Sequence, residues 1–485
     1  MRKALAVLFL TALASAAQAN GRDPYTVTIH FKRGAENNII SGMTFGLVIS
    51  HDGGTTWEWM CEKAIGYGGM WDPDYEYTSS DAIFATTFDG LSVMRNRCDF
   101  ASTMFGTTFV SRITEASNGT LYVAASDSTI GDSKIYKSTD NGMTFPTSTT
   151  PPGGIAGDWW QSIEVAPSDP TRVYLTGYRL VMKCTANSGN AGAACTANAM
   201  CTNGGMCEPQ KEFLLYKSVD SGANYTAISK TGIGTTSSNS TIDIVGISPT
   251  DPNTLYVKVT FETGSSGDTV YRSTNGGTNW TPILSKDSKF GLSFLVRYDG
   301  TCVAGTRELG AWKSADCATA ATPTWTPLTT APHIGCLYEN SAHEVWACTQ
   351  MMASVQLNID ADGYGIMKST DLSTWTGVLK YPDIKAPVAC AVGTVQNDQC
   401  VERFEGMQSP WCCLVPQLGI TSTEVDCTGA RGCFNDTIDG AIDGIQKPEK
   451  PGCCEAGSSG STAMLSGLVV AGLVFRRRRR PTARR

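Results

Sequence analysis

The 485-residue chain sets 38 lysines and arginines against 45 acids and carries 18 cysteines and 50 glycines, with only 17% of its residues charged. Two of the basic residues fall in the first three positions and seven in the last ten, which leaves 29 against 45 acids, a net charge near −16, for the body between them. An acidic body of this kind speaks against nucleic acid and anionic membrane surfaces as partners, and it suits neutral glycans, cations or extracellular proteins.

In chain order the first element is an export leader. Arg2 and Lys3 precede an apolar run over 4–13, and Ala17-Gln18-Ala19 has the small-residue spacing of a cleavage site. Residues 1–19 are therefore expected to be removed after Ala19, leaving an exported protein. Export makes the even cysteine count read as disulfides.

From Tyr25 to Tyr381 one pattern recurs. Ser50-His51-Asp52-Gly53-Gly54-Thr55-Thr56-Trp57 is the first copy of Ser-x-Asp-x-Gly-x-Thr-aromatic. Val93-Met94-Arg95-Asn96 reads as a second copy whose turn has decayed. Full copies follow around Asp140 (138–145), Asp220 (218–225) and Asn275 (273–280). Two degenerate copies close the series: Asp316, with an insertion carrying Cys317 before Trp325, and Asp371, one residue short of its Trp375. Serine and aspartate accept hydrogen bonds from nearby backbone N–H groups and fold the chain into a tight turn; glycine supplies a positive φ. Each box is thus expected to be structural and to join two antiparallel strands.

The strand before each box ends in a basic residue and serine, as in Ile135-Tyr136-Lys137-Ser138 and Leu215-Tyr216-Lys217-Ser218, with Leu47-Val48-Ile49-Ser50 as a variant. A further strand recurs upstream, at Leu121-Tyr122-Val123, Val173-Tyr174-Leu175, Leu255-Tyr256-Val257 and Val345-Trp346-Ala347, and more weakly at 83–85, 302–304 and 27–29. Seven copies at about 41–55 residues, with one gap of 80 between Ser138 and Ser218, predict an all-β, seven-bladed β-propeller over 20–385. The chain resembles the Asp-box (BNR-repeat) propellers, a family that includes sialidases, sortilin-type receptors and some endoglucanases. The resemblance implies that the boxes lie on the blade periphery, away from the central channel. Residues 27–31 align with second strands, so the first blade is expected to lack its innermost strand, with 386–392 returning to supply it.

The long gap holds Cys184, Cys195, Cys201 and Cys207 among small residues, too little apolar material for a core. With no C-x-x-C pair and no nearby histidine, 184–207 reads as a disulfide-held insertion between second and third strands rather than a zinc site. Cys336 with Cys348, Cys302 with Cys317, and Cys61 with Cys98 are expected pairs. Residues 386–454 turn Cys-, Pro- and Gly-rich and read as a disulfide-bonded stalk.

The tail 455–485 follows Cys453-Cys454 with a Gly/Ser stretch, the apolar segment 463–475 and Arg476 to Arg480. At 1.5 Å per residue the apolar segment covers roughly 20 Å, short of the ~30 Å hydrocarbon core. The arrangement resembles the C-terminal sorting tail of myxobacterial surface proteins, which implies processing near Cys453 and Cys454 and retention at the cell surface, the membrane being touched only through the tail. A single-span anchor with a positive-inside cluster is the other reading.

No catalytic residue can be nominated. Sialidases of this type carry an Arg-Ile-Pro signature, and Arg112-Ile113-Thr114 is not that signature. The four histidines show no Ser-His-Asp arrangement. Asn358-Ile359-Asp360-Ala361-Asp362-Gly363 begins like a calcium loop but ends on Ser369, so it reads as a polar turn; no cofactor or metal is expected. Trp71, in a polar loop, and Trp159 and Trp160, just before an inner strand, map to loops on the presumed binding face and are the candidate ligand platforms. The expectation is a monomeric, non-catalytic surface propeller that binds a glycan or extracellular protein, with a glycoside hydrolase using two carboxylates as the alternative.

Overall fold

The computed structural model describes residues 23–427 apart from 68–71, 88–89, 107, 127–132, 156, 185–192, 196–200, 202–205, 235, 263–266, 355–357, 403–408, 422–424 and 426. Trp71, Ala19, Cys453, Cys454 and the apolar 463–475 therefore lie outside the described residues.

Seven sheets, each built from consecutive strands, form a seven-bladed β-propeller. The blades span 26–60, 75–102, 109–149, 158–227, 236–286, 293–327 and 336–379. Their first strands are innermost: Thr26–Phe31, Tyr75–Tyr77, Phe109–Glu115, Asp158–Ala166, Thr236–Ile247, Ser293–Val296 and Cys336–Glu339. Each packs on the inner strands of its neighbours, and Thr26–Phe31 meets Cys336–Glu339 to close the ring. The apolar second strand Leu121–Ser126 is buried along its whole length between adjacent blades.

Blade 1 departs from expectation. It has its own inner strand, because the buried segment Ile39–Met43, too rich in small residues to stand out in the repeat, is its second strand. Residues 386–388 do return to blade 1, but to its outer edge. Ala386 and Pro387 run parallel to Glu58 and Trp59, and the Val388 N–H bonds the Trp59 carbonyl at 2.8 Å. Blade 1 thereby gains a fifth strand outside rather than a missing one inside.

The segment expected as the start of a stalk is a docked cap. The helix Pro410–Leu418 buries Trp411 against Trp59, ring centroids 5.5 Å apart, and Gln396 bonds both the Cys61 N–H and the Trp59 carbonyl. Cys61 pairs with Cys400 and Cys98 with Cys390, not with each other. Cys302–Cys317 and Cys336–Cys348 pair as expected, and the insertion is held by Cys184–Cys201 and Cys195–Cys207.

The boxes are hydrogen-bonded corners. Ser50, Ser138, Ser218 and Ser273 each accept the glycine N–H four residues on, all at 2.9 Å. Asp140 accepts from the Ser138 hydroxyl and from the Thr144 hydroxyl and N–H, and Asp220 accepts from the Asn224 side-chain amide and N–H; these bonds hold both carboxyls down at about 2. The short box keeps the design with Leu372, whose N–H bonds Ser369 at 2.8 Å and whose φ of 64° takes the glycine's place. Glycine is otherwise required twice over. Gly142 and Gly222 have φ of 71° and 75°, and a Cβ would fall 2.5 Å from Phe84 and 2.9 Å from Tyr122 of the preceding blade.

The basic residue ahead of the turn also acquires a role. Arg95, Lys137, Lys217 and Arg272 donate across four consecutive junctions to the Asn141, Ser221, Gly276 and Cys317 carbonyls in the next blade's turn.

Two outcomes are expected. Ser138→Ala leaves the buried Gly142 N–H without its acceptor and lowers unfolding free energy by about 1–3 kcal/mol in urea titration. Replacing Cys98 and Cys390 together by serine opens a 292-residue covalent loop and costs about 2–4 kcal/mol, read as a lower Tm under non-reducing conditions.

Candidate functional site at the channel mouth

The inner strands begin on one face of the ring, and the hairpins between second and third strands rise on the same face. In blade 4 Trp159 opposes Tyr178, and pairing then runs on past the blade, from Leu180 opposite Lys211 to Cys184 opposite Cys207. The hairpin that carries the Cys-rich insertion thus extends beyond the blade on the face where the inner strands begin. Its foot is fixed by Arg179, which grips the fully buried Asp158 with two bonds of 2.6 and 2.8 Å.

Two β-bulges build the wall beneath. In a regular strand, positions three or five residues apart point to opposite sides. Ser111 and Gln161 are extra residues in the inner strands of blades 3 and 4, and they restore the parity. Phe109 and Arg112 therefore share a side, as do Trp159 and Glu164. Across the junction Phe109 meets Trp159 edge-on at 5.4 Å, and below them Arg112 meets Glu164 at 2.9 Å. Blade 2 completes the cluster with alternation alone: Asp72, Asp74 and Glu76 are all half-buried, with buried Pro73 and Tyr75 between them. Asp74 takes the second arm of Arg112 at 2.9 Å.

One guanidinium thus holds two carboxylates from two blades, and Asp74 first and then Glu164 keep it firmly charged. Its side chain remains 37% exposed although protein surrounds it, so it is open along the channel. Glu76 makes no ion pair among the described residues. Burial, reinforced by Glu164, Glu115 and Asp74 and opposed by Arg33, pushes Glu76 up to about 8. Burial likewise raises Glu164 against the pull of Arg112, and raises Asp243 on blade 5. His30 on blade 1, edge-on to Tyr75 at 6.3 Å, is pushed down to about 4 by burial. Deeper still, Glu115 accepts from the Ser79 N–H and hydroxyl and pairs with Arg33 at 3.4 Å.

Of the expected platforms, Trp159 lies half-buried at the mouth. Trp160 is 1% exposed and packs edge-on against Tyr216 at 6.0 Å, so it is a core residue; its neighbour across the strand, not it, faces the channel. The box residues Asp52, Asp140, Asp220, Asn275, Asp316 and Asp371 sit in turns between third and fourth strands, at the far end of the blades from Trp159. Asp362, in the calcium-like turn, accepts from the His333 N–H and ring Nδ1 and from the Gln350 N–H, which engages both of its oxygens. Asp74, Glu76, Arg112 and Glu164 were not foreseen; only the period-two acids 72, 74 and 76 leave a trace in the sequence.

No family model matches the chain, and no curated protein matches it. Among solved structures it is similar to an ancestral GH74 enzyme, at 12% identity with a TM-score of 0.45 over 75% of this chain and 55% of that one. It is similar also to YCF48 from Cyanidioschyzon merolae, at 12% identity and a TM-score of 0.40 over 67% and 92% of the two chains. A PL25 ulvan lyase bound to -[GlcA(1-4)Rha3S]- matches at 10% identity and a TM-score of 0.39 over 62% and 84%. The chain spans 55% of the length of the ancestral GH74 enzyme.

Glu76 gives the site a pH signature. With a folded value of about 8 against an ordinary 4.5, the folded state keeps its proton between the two. The stability tied to this group is complete below the lower value and is lost as pH rises to about 8. His30 acts elsewhere: its lowered value removes stability only as pH falls from 6.5 towards about 4. Between about pH 6.5 and 9, Glu76→Gln is therefore expected to gain on wild type by several degrees of Tm, on the order of 1–3 kcal/mol. A constant difference across that range, by scanning fluorimetry, refutes the assignment.

Proposed function

We propose that the chain is an exported, surface-anchored propeller of the Asp-box kind that binds a neutral glycan at the channel mouth without cleaving it. The observation that carries this reading is Trp159, half-open beside Phe109 and directly above the Asp74–Arg112–Glu164 cluster. An aromatic face accepts the apolar side of a sugar ring, while planar charged groups next to it bond hydroxyls. The surplus of carboxyls repels anionic glycans. The leader ending at Ala19, the Cys453-Cys454 tail and the arginine cluster support export and retention at the surface.

A second reading, a surface glycoside hydrolase, is favoured by one feature. Burial pushes Glu76 up to about 8, so it keeps the proton that a general acid needs near neutrality, and two further carboxyl groups, of Asp74 and Glu164, stand beside it on Arg112.

One experiment separates them. The purified protein is passed over neutral and anionic polysaccharides, and retention and new reducing ends are scored apart. Retention on a neutral polymer without cleavage, weakened about tenfold by Trp159→Ala (about 1.4 kcal/mol), is the expected result. Cleavage abolished by Glu76→Gln installs the hydrolase; retention only of a protein partner replaces the glycan.

A further inference from the structure

We infer that the junction between blades 1 and 2 holds a binding site for a small zwitterion, an α-amino acid with an apolar side chain. In blades 2 to 5 the residue before the turn is Lys or Arg, and it crosses to the next blade's turn. At the junction of blades 1 and 2 that residue is Ile49, and the facing turn in blade 2 has lost its box. There Asn96 accepts from the Cys98 and Asp99 N–H groups instead. Nothing fills the space that the long cation occupies elsewhere, and a cavity of 250 Å³ remains.

Its floor is apolar: Ile49, Ile83, Met94 and the returning Val388 line it, all buried. Its rim is charged with both signs, Arg97 on the blade 2 turn and Glu58 on the outer strand of blade 1. Neither side chain makes a hydrogen bond or ion pair among the described residues. Asp81, also on the rim, is held by Lys32 at 2.8 Å and by the Tyr77 hydroxyl at 3.1 Å, and adds negative potential. The Cys98–Cys390 bridge, one residue from Arg97, ties the returning segment to this turn.

The ligand class follows from this inventory. An anion alone would face Glu58, a cation alone would face Arg97, and a neutral molecule would leave both unused. A carboxylate for Arg97, an ammonium for Glu58 and an aliphatic group for the floor satisfy all three surfaces. The volume, below the roughly 300–1,000 Å³ of drug-sized sites, restricts the occupant to one small molecule. Arg97 also sits at φ 69°, a conformation that favours glycine, so its side chain is kept at a position where the backbone prefers none.

That conformation supplies a clean test. Arg97→Gly removes the guanidinium while relieving the backbone, so the variant should fold with a Tm no lower than wild type. Isothermal titration of the whole exported protein with L-leucine should give saturable one-to-one heat. L-leucinamide and N-acetyl-L-leucine should each bind at least tenfold more weakly, and Arg97→Gly and Glu58→Gln should each lose binding by a similar factor. Trp159→Ala, on the other face, should leave the titration unchanged. No saturable heat at millimolar leucine, equal binding of the two derivatives, or undiminished binding by folded Arg97→Gly overturns the proposal.

Discussion

A ring of sheets has no ladder hydrogen bonds between its blades, because each sheet spends its ladder internally. What joins one blade to the next here is the turn between third and fourth strands. Asn141, Ser221 and Gly276 all have φ near 60°, and their carbonyls accept the lysine or arginine of the blade before. The adjoining residues Gly142 and Gly222 let that same blade's aromatic approach to van der Waals contact, and Gly276 does so for Tyr174. One turn therefore supplies a cation acceptor and a packing surface together. The serine and aspartate bonds matter because they hold the turn in the conformation that does both.

Ring closure obeys the same constraint under poorer conditions. Lys368 of the last blade turns back to Glu344 of its own blade at 2.8 Å, so it makes no crossing to blade 1. The seam is carried by other groups. Phe31 stacks on Tyr338 at 4.7 Å, Arg307 donates to the Thr26 carbonyl and to Gln350, and the Tyr381 hydroxyl meets Thr26 at 3.2 Å. Beyond the seam, the chain's return to the outer edge of blade 1 covers an exposed strand and is bridged there by two disulfides. Reinforcement accumulates where the repeated staple is missing.

The repeat was legible because each box residue has a local reason to be what it is: Ser50 and Asp52 bond atoms within four residues of themselves. Blade count and third strands followed from that; the periphery of the boxes was implied only by the resemblance. The second strand of blade 1 escaped because Ile39–Met43 carries serine and glycine where its counterparts carry tyrosine or valine. The return of 386–388 to blade 1 was legible, but its place on the outer edge was not, because a two-residue parallel pairing has no pattern, and Cys61 lies 339 residues from its partner. Most of the channel cluster was invisible for a different reason. Bulges at Ser111 and Gln161 shift side-chain parity, so Phe109 with Arg112 and Trp159 with Glu164 look, by counting, as if they faced opposite ways.

The charge balance of the channel bears on why such a cluster persists. A wall built only for stability would match each buried carboxyl with a cation or replace it by an apolar residue, since an uncompensated buried charge destabilises the fold. Arg112 has two carboxylates on its arms, and Glu76 and Asp243 stand near it with no salt bridge of their own among the described residues, driven towards their neutral forms by burial. A hydrophobic wall was available, as blade 6 shows with Phe294, Leu295 and Val296 on its inner strand. The acids are concentrated instead on blades 2 to 5, beneath the half-buried Trp159. Polar groups left under-compensated on one side of a ring, with an aromatic above them, are arranged for a partner that brings its own hydroxyls or charges.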